Sequence, residues 1–323
     1  MKTIAIIGAG QLGSRHLQGL LKYKTQQDIY VLDPSQDSLK VAHQRADEIS
    51  HQHRLHFVAD WTAIPQNIDL AIVATNSNVR EAVVLRLLEN FQVNFLVLEK
   101  VLFQSLGSFS RVGDLIEKKQ IKTWVNHPRR MFESYHAIKQ NLLEGTPRVY
   151  QVAGGNWGLA CNALHFIDLF EYLSDSQVAS LNASGIDNEI LLSKRNGFIE
   201  FTGTVRGLLQ DGSHFSITSF RGEPSAPTIV LFDAEDRFVI QEGGTPCIYR
   251  FSKQNAFEVQ TASFLMEYQS TLTERLTYAI LEQGVCELPS FSHARLAHEK
   301  FIIPLLDKYN QIQNTHSDIL PIT

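Results

Sequence analysis

The sequence is poor in features that define several protein classes. Its 323 residues contain only three cysteines, Cys161, Cys247 and Cys286, which are odd in number and widely separated. A disulfide-stabilised secreted fold is therefore not expected, and a reduced, cytoplasmic protein is the simpler prediction. No apolar run approaches the roughly 20 residues of a membrane span, and the short, glycine-rich start is not typical of a signal peptide.

Charge of one sign is not concentrated anywhere in the chain. The sequence has 29 basic and 34 acidic residues, for a net charge of −5. Without a basic patch there is no electrostatic reason to predict binding of nucleic acid or of an anionic membrane. The length allows two domains with separate cores.

The first 125 residues alternate apolar strands with helices. Helices are predicted near 78–90 and 107–119, and the strands are KTIAIIG, DIYVLD, HFVAD, IDLAIVAT, NFLVLEK and IKTWVN. This alternation predicts an α/β domain, residues 1–125, with a parallel sheet covered by helices on both faces.

The pattern becomes strand-rich after residue 125. Following a predicted helix around 129–143, segments such as SHFSITSF and RFVIQE alternate apolar and polar residues. Such alternation predicts a mostly antiparallel sheet with one face on a core. Two helices, about 262–283 and 291–312, complete the predicted α+β domain, residues 126–323.

A glycine-rich loop lies between the first strand and the first helix. It reads Gly8-Ala-Gly10-Gln11-Leu12-Gly13, and Asp33 ends the next strand. Glycines in this pattern allow a tight turn, close approach of a pyrophosphate and close helix packing. A carboxylate at Asp33 suits the ribose hydroxyls of the adenosine and would repel a 2′-phosphate. The sequence therefore predicts NAD rather than NADP.

Polar residues follow two later strands of the same domain. Thr75 and Asn76 come after IDLAIVA, and Glu99 and Lys100 end NFLVLEK. Ligands of open parallel sheets gather at the carboxyl ends of the strands. We expect Thr75, Asn76 and Glu99 near a nicotinamide ribose, and Lys100 beside a substrate hydroxyl; a solvated strand-end pair is the alternative for Glu99 and Lys100.

The stretch GGNWGLACNALHFIDL in the second domain combines a thiol and an imidazole. Cys161 and His165 are four residues apart, which places them on one face of a helix. Cys161 could be a nucleophile or a small buried apolar residue. A zinc site needs about four ligands, and no second pair stands out. No metal is predicted.

Other polar residues have two interpretations each. Arg129 follows the last strand of the first domain and could bind a substrate carboxylate or phosphate, or be an exposed basic residue. Trp157 could stack on a sugar ring or pack inside the protein. The histidines of HQHRLH, His51, His53 and His56, are interpreted as a solvated connection rather than a metal cluster.

Four segments, in order, resemble the Gfo/Idh/MocA oxidoreductases, which include glucose–fructose oxidoreductase and inositol dehydrogenase. They are GAGQLGSRHLQGL with His16, the end of IDLAIVAT, LEK, and GGNWGLACNALHFIDLFEYL. The resemblance extends over nearly the whole chain. It implies a Rossmann domain followed by an open-sheet domain that serves for homodimer or homotetramer formation.

The resemblance also implies site roles. Lys100 and His165 would form the catalytic pair, with His165 as general base while hydride passes to the nicotinamide. Trp157, Cys161, Asn162, His165 and Arg129 are the candidate substrate ligands. Two positions depart from the family pattern: Val101 replaces a proline, and Cys161 replaces an aspartate. A thiol is only a weak hydrogen-bond acceptor.

The sequence thus predicts an NAD-dependent oxidoreductase. Its substrate would be a sugar, polyol, amino sugar or nucleotide sugar, and the helix resembles those of members from surface-polysaccharide or nonulosonic-acid metabolism. Because of Cys161 and Val101, a non-catalytic NAD-binding regulator is the alternative. A hydrolase that uses bound NAD for a transient hydride transfer is a third hypothesis.

Overall fold

A computed structural model describes residues 1–323, which form two compact units. The first unit comprises residues 1–103, 107–128 and 267–294, and the second comprises 104–106, 129–266 and 295–323. The division after Pro128 lies close to the domain boundary that the sequence suggests. The segment 267–294, however, belongs to the first unit although it follows the second unit in the chain.

The first unit contains a six-stranded parallel sheet in the order β3-β2-β1-β4-β5-β6. Its strands are β1 (Thr3–Ile7), β2 (Asp28–Leu32), β3 (Arg54–Val58), β4 (Asn67–Val73), β5 (Gln92–Glu99) and β6 (Lys122–Asn126). The helices between them are α1 (Gln11–Leu20), α2 (Gln36–Asp47), α3 (Ser77–Asn90) and α4 (Leu106–Lys118). This order is that of a dinucleotide-binding Rossmann sheet. The predicted fold of this part is confirmed.

The second unit is built on an eight-stranded mixed sheet. It begins with α5 (Glu133–Lys139), β7 (Val149–Gly155) and α6 (Leu159–Ser174), and its remaining strands are β8 (Val178–Ile186), β9 (Leu191–Leu192), β10 (Ile199–Glu200), β11 (Gly203–Leu209), β12 (His214–Phe220), β13 (Thr228–Phe232), β14 (Asp236–Gln241), β15 (Cys247–Ser252) and β16 (Val259–Ser263). The order is β16-β15-β14-β13-β7-β12-β11-β8, and β9 and β10 form a separate hairpin. All neighbours are antiparallel except β7 and β12.

Helix α6 packs on one face of this sheet. Phe170 stacks on Tyr150 of β7, with ring centroids 4.4 Å apart, and lies 5.7 Å from Phe215 of β12. The alternation in β12 places Phe215 and Ile217 in the core and His214 and Phe220 at the surface. The predicted open, mostly antiparallel sheet is therefore confirmed.

Two predicted helices differ from the structure. The segment 129–143 forms a short 3-10 turn, Pro128–Met131, and then α5, because Phe132 has an extended backbone between them. The predicted helix 262–283 begins only at α7 (Gln269–Tyr278), which continues as a π-helical turn over Ala279–Gln283. The residues before it pair with β15 as strand β16. The last helix is α8 (Phe291–Gln313).

Candidate functional site

The glycine loop after β1 has the geometry that the sequence predicts. Gly8 has a φ of +98°, which side chains rarely adopt. A Cβ on Gly13 would lie 1.7 Å from the Gly8 carbonyl oxygen, whereas a Cβ on Gly10 would meet nothing within 4 Å. Gly8 therefore permits the turn, Gly13 permits contact between helix and strand, and Gly10 leaves open space above the first turn of α1.

A cavity of about 580 Å³ adjoins this loop. Its lining includes five of the predicted cofactor residues: Gly8, Gly10, Asp33, Thr75 and Asn76. It also includes Trp61 and Arg86, which the sequence did not suggest, whereas Gln11 and Leu12 begin α1. The Arg86 guanidinium lies 5.0 Å from the centre of the Trp61 ring. No motif pointed to Trp61, which begins a short 3-10 turn, Trp61–Ala63, after β3.

The carboxylate of Asp33 fixes the glycine loop to the end of β2. Its Oδ2 accepts the Ala9 N–H at 2.7 Å, and its Oδ1 accepts the Ser35 N–H at 2.9 Å. The side chain is thus oriented before any ligand is present. Each carboxylate oxygen has a further lone pair with which it could accept a hydroxyl.

A closed ring of hydrogen bonds surrounds the buried carboxylate of Glu99. Its Oε1 lies 2.8 Å from His16 Nε2 and accepts from Asn126 Nδ2 at 2.6 Å. The same Asn126 amide donates to Gln269 Oε1 at 2.8 Å, and Gln269 donates to Thr273 Oγ1 at 2.9 Å. Thr273 Oγ1 lies 3.0 Å from His16 Nδ1 and completes the ring.

The sequence suggested His16 and Glu99 through the family motif but gave no indication of the two α7 residues. Two partners, His16 Nε2 and Asn126 Nδ2, converge on Glu99 Oε1. The ring therefore holds the residue that precedes Lys100 in a single orientation.

Arg80 joins the two loops that hold the other predicted residues of this unit. Its side chain is only 1% exposed. The guanidinium donates to the carbonyls of Thr75, Val101 and Leu102. The peptide bond between Lys100 and Val101 is cis. Arg80 thus connects the loop after β4 to the loop after β5. No sequence pattern indicated this role.

In the second unit, the start of α6 is held by a carboxylate from the β9–β10 hairpin. Glu200 accepts the Ala160 N–H at 2.8 Å and the Cys161 N–H at 3.2 Å. Asn162 donates to the carbonyls of Trp157 and Gly158 at 3.0 and 3.1 Å. The two contacts of Glu200 satisfy backbone N–H groups that a helix start otherwise leaves without partners, and the Asn162 amide ties its own turn to the residues before the helix.

Three predicted substrate ligands line one cavity of about 490 Å³ in this unit. They are Trp157, Cys161 and Asn162, which share the lining with Lys194 and Arg195. Trp157 is held in place, because its Nε1 donates to the Thr218 carbonyl at 2.8 Å and its ring meets Phe166 edge-on. His165 lies half-buried on α6, one turn after Cys161.

Arg129 has a carboxylate partner inside the second unit. Its Nε and Nη2 donate to the two oxygens of Glu242 at 2.8 and 2.6 Å, and its guanidinium lies 4.4 Å from the Phe166 ring centre. Tyr135 also donates to Glu242 at 2.6 Å. Burial alone would raise the pKa of Glu242, but the charge and hydrogen bonds of Arg129 and the hydrogen bond from Tyr135 outweigh it and lower that pKa. The role of Arg129 as a substrate ligand stays a prediction.

The histidines of HQHRLH do not form one solvated loop. His51 is exposed, but His53 is buried and its Nδ1 accepts the Gln27 N–H at 3.1 Å. His56 lies in β3 and stacks on Tyr30. No group of three or more His, Cys, Asp or Glu side chains in residues 1–323 could hold a metal ion.

Residues 2–127 match the family model GFO_IDH_MocA, described as an oxidoreductase family with an NAD-binding Rossmann fold. The N-terminal domain of this chain therefore matches the Gfo/Idh/MocA family model. The family recognition made from the sequence is thereby confirmed. No curated protein matches the sequence significantly.

Solved structures resemble the fold of this chain over almost its full length. UDP-N-acetylglucosamine 3-dehydrogenase GnnA from Acidithiobacillus ferrooxidans is 12% identical, with a TM-score of 0.69 over 94% of this chain and 97% of that one. An oxidoreductase from Agrobacterium radiobacter in complex with NAD+, L-tartaric acid and magnesium is 14% identical, with a TM-score of 0.70 over 96% and 97%. The transcriptional regulator Gal80p from Kluyveromyces lactis is 16% identical, with a TM-score of 0.72 over 96% and 92%.

The cavity of the Gfo/Idh/MocA domain fits the cofactor of this family. The open space at Gly10 admits a pyrophosphate, and Asp33 is oriented toward the same cavity. The hydroxyl oxygen of Thr75, at its rim, is buried and makes no hydrogen bond within the protein. A dinucleotide would supply that partner.

None of the helices is long and apolar enough to cross a membrane.

Proposed function

We propose that the protein is an NAD-dependent oxidoreductase that acts on a hydroxyl-bearing carbon of a sugar, polyol, amino sugar or nucleotide sugar. The observation that carries the proposal is the arrangement at the edge of the parallel sheet. There the glycine loop, Asp33 and Thr75 line one cavity, and Arg80 and the Glu99 ring hold the chain on either side of Lys100. A dinucleotide cradle and a lysine at the end of the neighbouring strand suit hydride chemistry.

In this proposal, bound NAD supplies the hydride acceptor. Lys100 donates a hydrogen bond to the oxygen of the reacting hydroxyl and stabilises the negative charge that develops there. His165 takes the hydroxyl proton as general base. Trp157, Cys161 and Asn162 bind the rest of the sugar in the cavity that they line.

The preference for NAD over NADP rests on Asp33. Its carboxylate is fixed by two backbone N–H groups, so it could not turn away from a 2′-phosphate without breaking both hydrogen bonds. We expect NADH to bind at least about tenfold more tightly than NADPH, because the two anions repel each other in the second case. Titration of protein fluorescence with each cofactor measures this ratio, and equal affinities would contradict the role of Asp33.

The oligomer and the location are part of the same proposal. We propose a homodimer or homotetramer that forms through the face of the mixed sheet that α6 does not cover. We also propose a cytoplasmic location, since all three cysteines are free thiols. Analytical sedimentation of the purified protein measures its oligomeric state and tests the proposed homodimer or homotetramer.

The decisive experiment follows NADH absorbance with a panel of polyols, sugars, amino sugars and nucleotide sugars. Lys100→Met should abolish turnover and leave NAD affinity nearly unchanged, because the ammonium acts on the substrate. Lys119→Met is a control, since Lys119 is an exposed lysine of the same unit. Turnover that survives in Lys100→Met would overturn the assignment.

One observation favours a second candidate, a non-catalytic NAD-binding regulator. Cys161 lines the substrate cavity where the family pattern has an aspartate, and Gal80p shares the fold. NAD binding without NADH formation or consumption of any substrate would favour this candidate. Substrate consumed without net NADH would instead indicate a hydrolase with transient hydride transfer.

A further inference from the structure

We infer that the cavity at the start of α6 binds a carbohydrate that carries an anionic group, a carboxylate or a phosphate, through Lys194 and Arg195. The inference rests on the proposed function, because it assigns the substrate class of the same site. Cys161 links this cavity to the proposed general base, because it lines the cavity and lies one helical turn before His165 on the same face of α6.

Two adjacent cations border this cavity. Lys194 and Arg195 lie in the turn of the β9–β10 hairpin, and both side chains are exposed. The structure shows no ion pair and no side-chain hydrogen bond for either residue. Arg195 makes hydrogen bonds only through its backbone, whose N–H donates to Ser193 Oγ and whose carbonyl accepts the Phe198 N–H. Their charges are therefore available to a ligand in the cavity.

The only acidic residue in the lining does not neutralise these cations. Glu200 is buried, and its carboxylate accepts two backbone N–H groups at the start of α6. The positive end of the helix dipole thus compensates the charge of Glu200. The rim of the cavity keeps a positive potential, although the chain as a whole has a net charge of −5.

The remaining lining suits a carbohydrate. Asn156, Asn162, Ser193 and Ser225 are neutral polar residues, and Trp157 adds an aromatic surface. Both donors of the Asn162 amide are used by backbone carbonyls, so its Oδ1 is left to accept a ligand hydroxyl. A volume of about 490 Å³ lies within the range of small-molecule sites.

Arg129, the basic residue that the sequence suggested for this role, is less suitable. The Nε–Nη2 edge of its guanidinium is already used by Glu242 in a bidentate pair. An anionic ligand would have to displace a buried carboxylate to bind there. Lys194 and Arg195 require no such exchange.

The test compares matched probes with wild-type protein and with the double variant Lys194→Gln/Arg195→Gln. The probes are glucose, glucuronate and glucose 6-phosphate, and N-acetylglucosamine with its UDP derivative; glucuronate and the phosphates distinguish the two anionic groups. NADH absorbance gives kcat and KM. Lys118→Gln/Lys119→Gln removes two adjacent exposed charges elsewhere and controls for net charge.

The expected result is turnover of an anionic probe whose KM rises about tenfold or more in the Lys194/Arg195 variant, with kcat nearly unchanged, because charge-assisted hydrogen bonds are lost. The control variant should match wild type. Turnover of neutral and anionic probes with equal KM, or an anionic KM that the variant leaves unchanged, would overturn the inference while the oxidoreductase stands.

Failure of the proposed function has a different signature. If no probe yields NADH, calorimetric binding of glucuronate, glucose 6-phosphate and the UDP-sugar is measured on the same proteins. Binding that is lost only in the Lys194/Arg195 variant would support the anion site without the enzyme. Absence of binding, or binding equal in all three proteins, would overturn it.

Discussion

Arg130 and Asp168 form a buried ion pair, with Arg130 Nε 2.8 Å from Asp168 Oδ2. Their side chains are 11% and 3% exposed. Asp168 follows His165 by three residues on α6, and Arg130 lies in the 3-10 turn at the start of the second unit. The pair therefore fixes the rotation of the helix that carries the proposed general base.

Replacement of Asp168 by Asn should destabilise the protein by about 3 kcal/mol, because it leaves the Arg130 charge buried without a carboxylate. Urea unfolding of both proteins measures the difference. Asp175→Asn is the matched control, since Asp175 ends the same helix and pairs with Lys139 while 77% exposed. We expect a loss of about 0–1 kcal/mol there, and equal losses at the two positions would contradict the argument.

Removal of the Arg80 guanidinium should weaken both folding and cofactor binding. In Arg80→Met, the buried carbonyls of Thr75, Val101 and Leu102 lose a shared donor, at about 1–3 kcal/mol for each group left unsatisfied. NADH affinity should fall as well, because the loops after β4 and β5 lose their connection. Unfolding and NADH fluorescence titration measure the two effects, and Arg54→Met, an exposed arginine on β3, should change neither.

The ring around Glu99 predicts that substitutions at two threonines of α7 will have different effects on stability. Thr273→Val should destabilise the protein by about 1–3 kcal/mol, because His16 and Gln269 each lose a buried partner. Thr277→Val should be neutral or slightly stabilising, since the buried Thr277 hydroxyl has no hydrogen-bond partner. Thermal unfolding of the two variants checks the difference, and Thr273→Ser should restore stability. Similar losses for both valine variants would rule out the ring as a stabilising feature.

His53 should make stability depend on pH near neutrality. Burial lowers the pKa of His53 below its ordinary value of 6.5, and the neighbouring His51 adds to the shift. Its Nδ1 also accepts the Gln27 N–H, which a protonated ring could not do. Below pH 6.5 the imidazole therefore binds a proton more readily in the unfolded chain than in the folded protein. The contribution of His53 to the free energy of unfolding is fully present above pH 6.5 and is lost as the pH falls below it.

The variant His53→Asn tests this dependence, because an amide oxygen can still accept from Gln27 but does not titrate. We expect the free energy of unfolding to fall less between pH 7.5 and pH 5.5 in this variant than in wild type. His316→Asn is the control, since His316 is an exposed histidine of the second unit. Parallel curves for wild type and His53→Asn would show that His53 contributes nothing.

The glycine loop illustrates what can be predicted from local sequence. Gly8, Gly10 and Gly13 act through backbone geometry over six residues, and Asp33 ends the neighbouring strand. The parallel order of the sheet follows from the alternation of apolar strands and helices. These features involve either short-range geometry or burial, and both leave a clear pattern in the sequence.

The partners of polar side chains leave no such pattern. Thr273 lies 257 residues after His16 in the chain, yet its Oγ1 is only 3.0 Å from His16 Nδ1. From the sequence, Arg129 could be assigned to a ligand, but in the folded protein it pairs with Glu242, which follows β14. Glu200 reaches the start of α6 from a hairpin that the sequence did not indicate. Polar pairing of this kind depends on chain segments that meet only when the core has formed.

The class of fold and the dinucleotide cradle can be predicted from the amino-acid sequence, because hydrophobic periodicity and glycine geometry act over a few neighbouring residues. Three features became visible only in the folded chain: α7 belongs to the first unit, Arg80 joins the loops after β4 and β5, and Lys194 and Arg195 border a cavity of about 490 Å³. A side chain's chemistry is set by its residue type, but its partner is set by the packing of the whole chain.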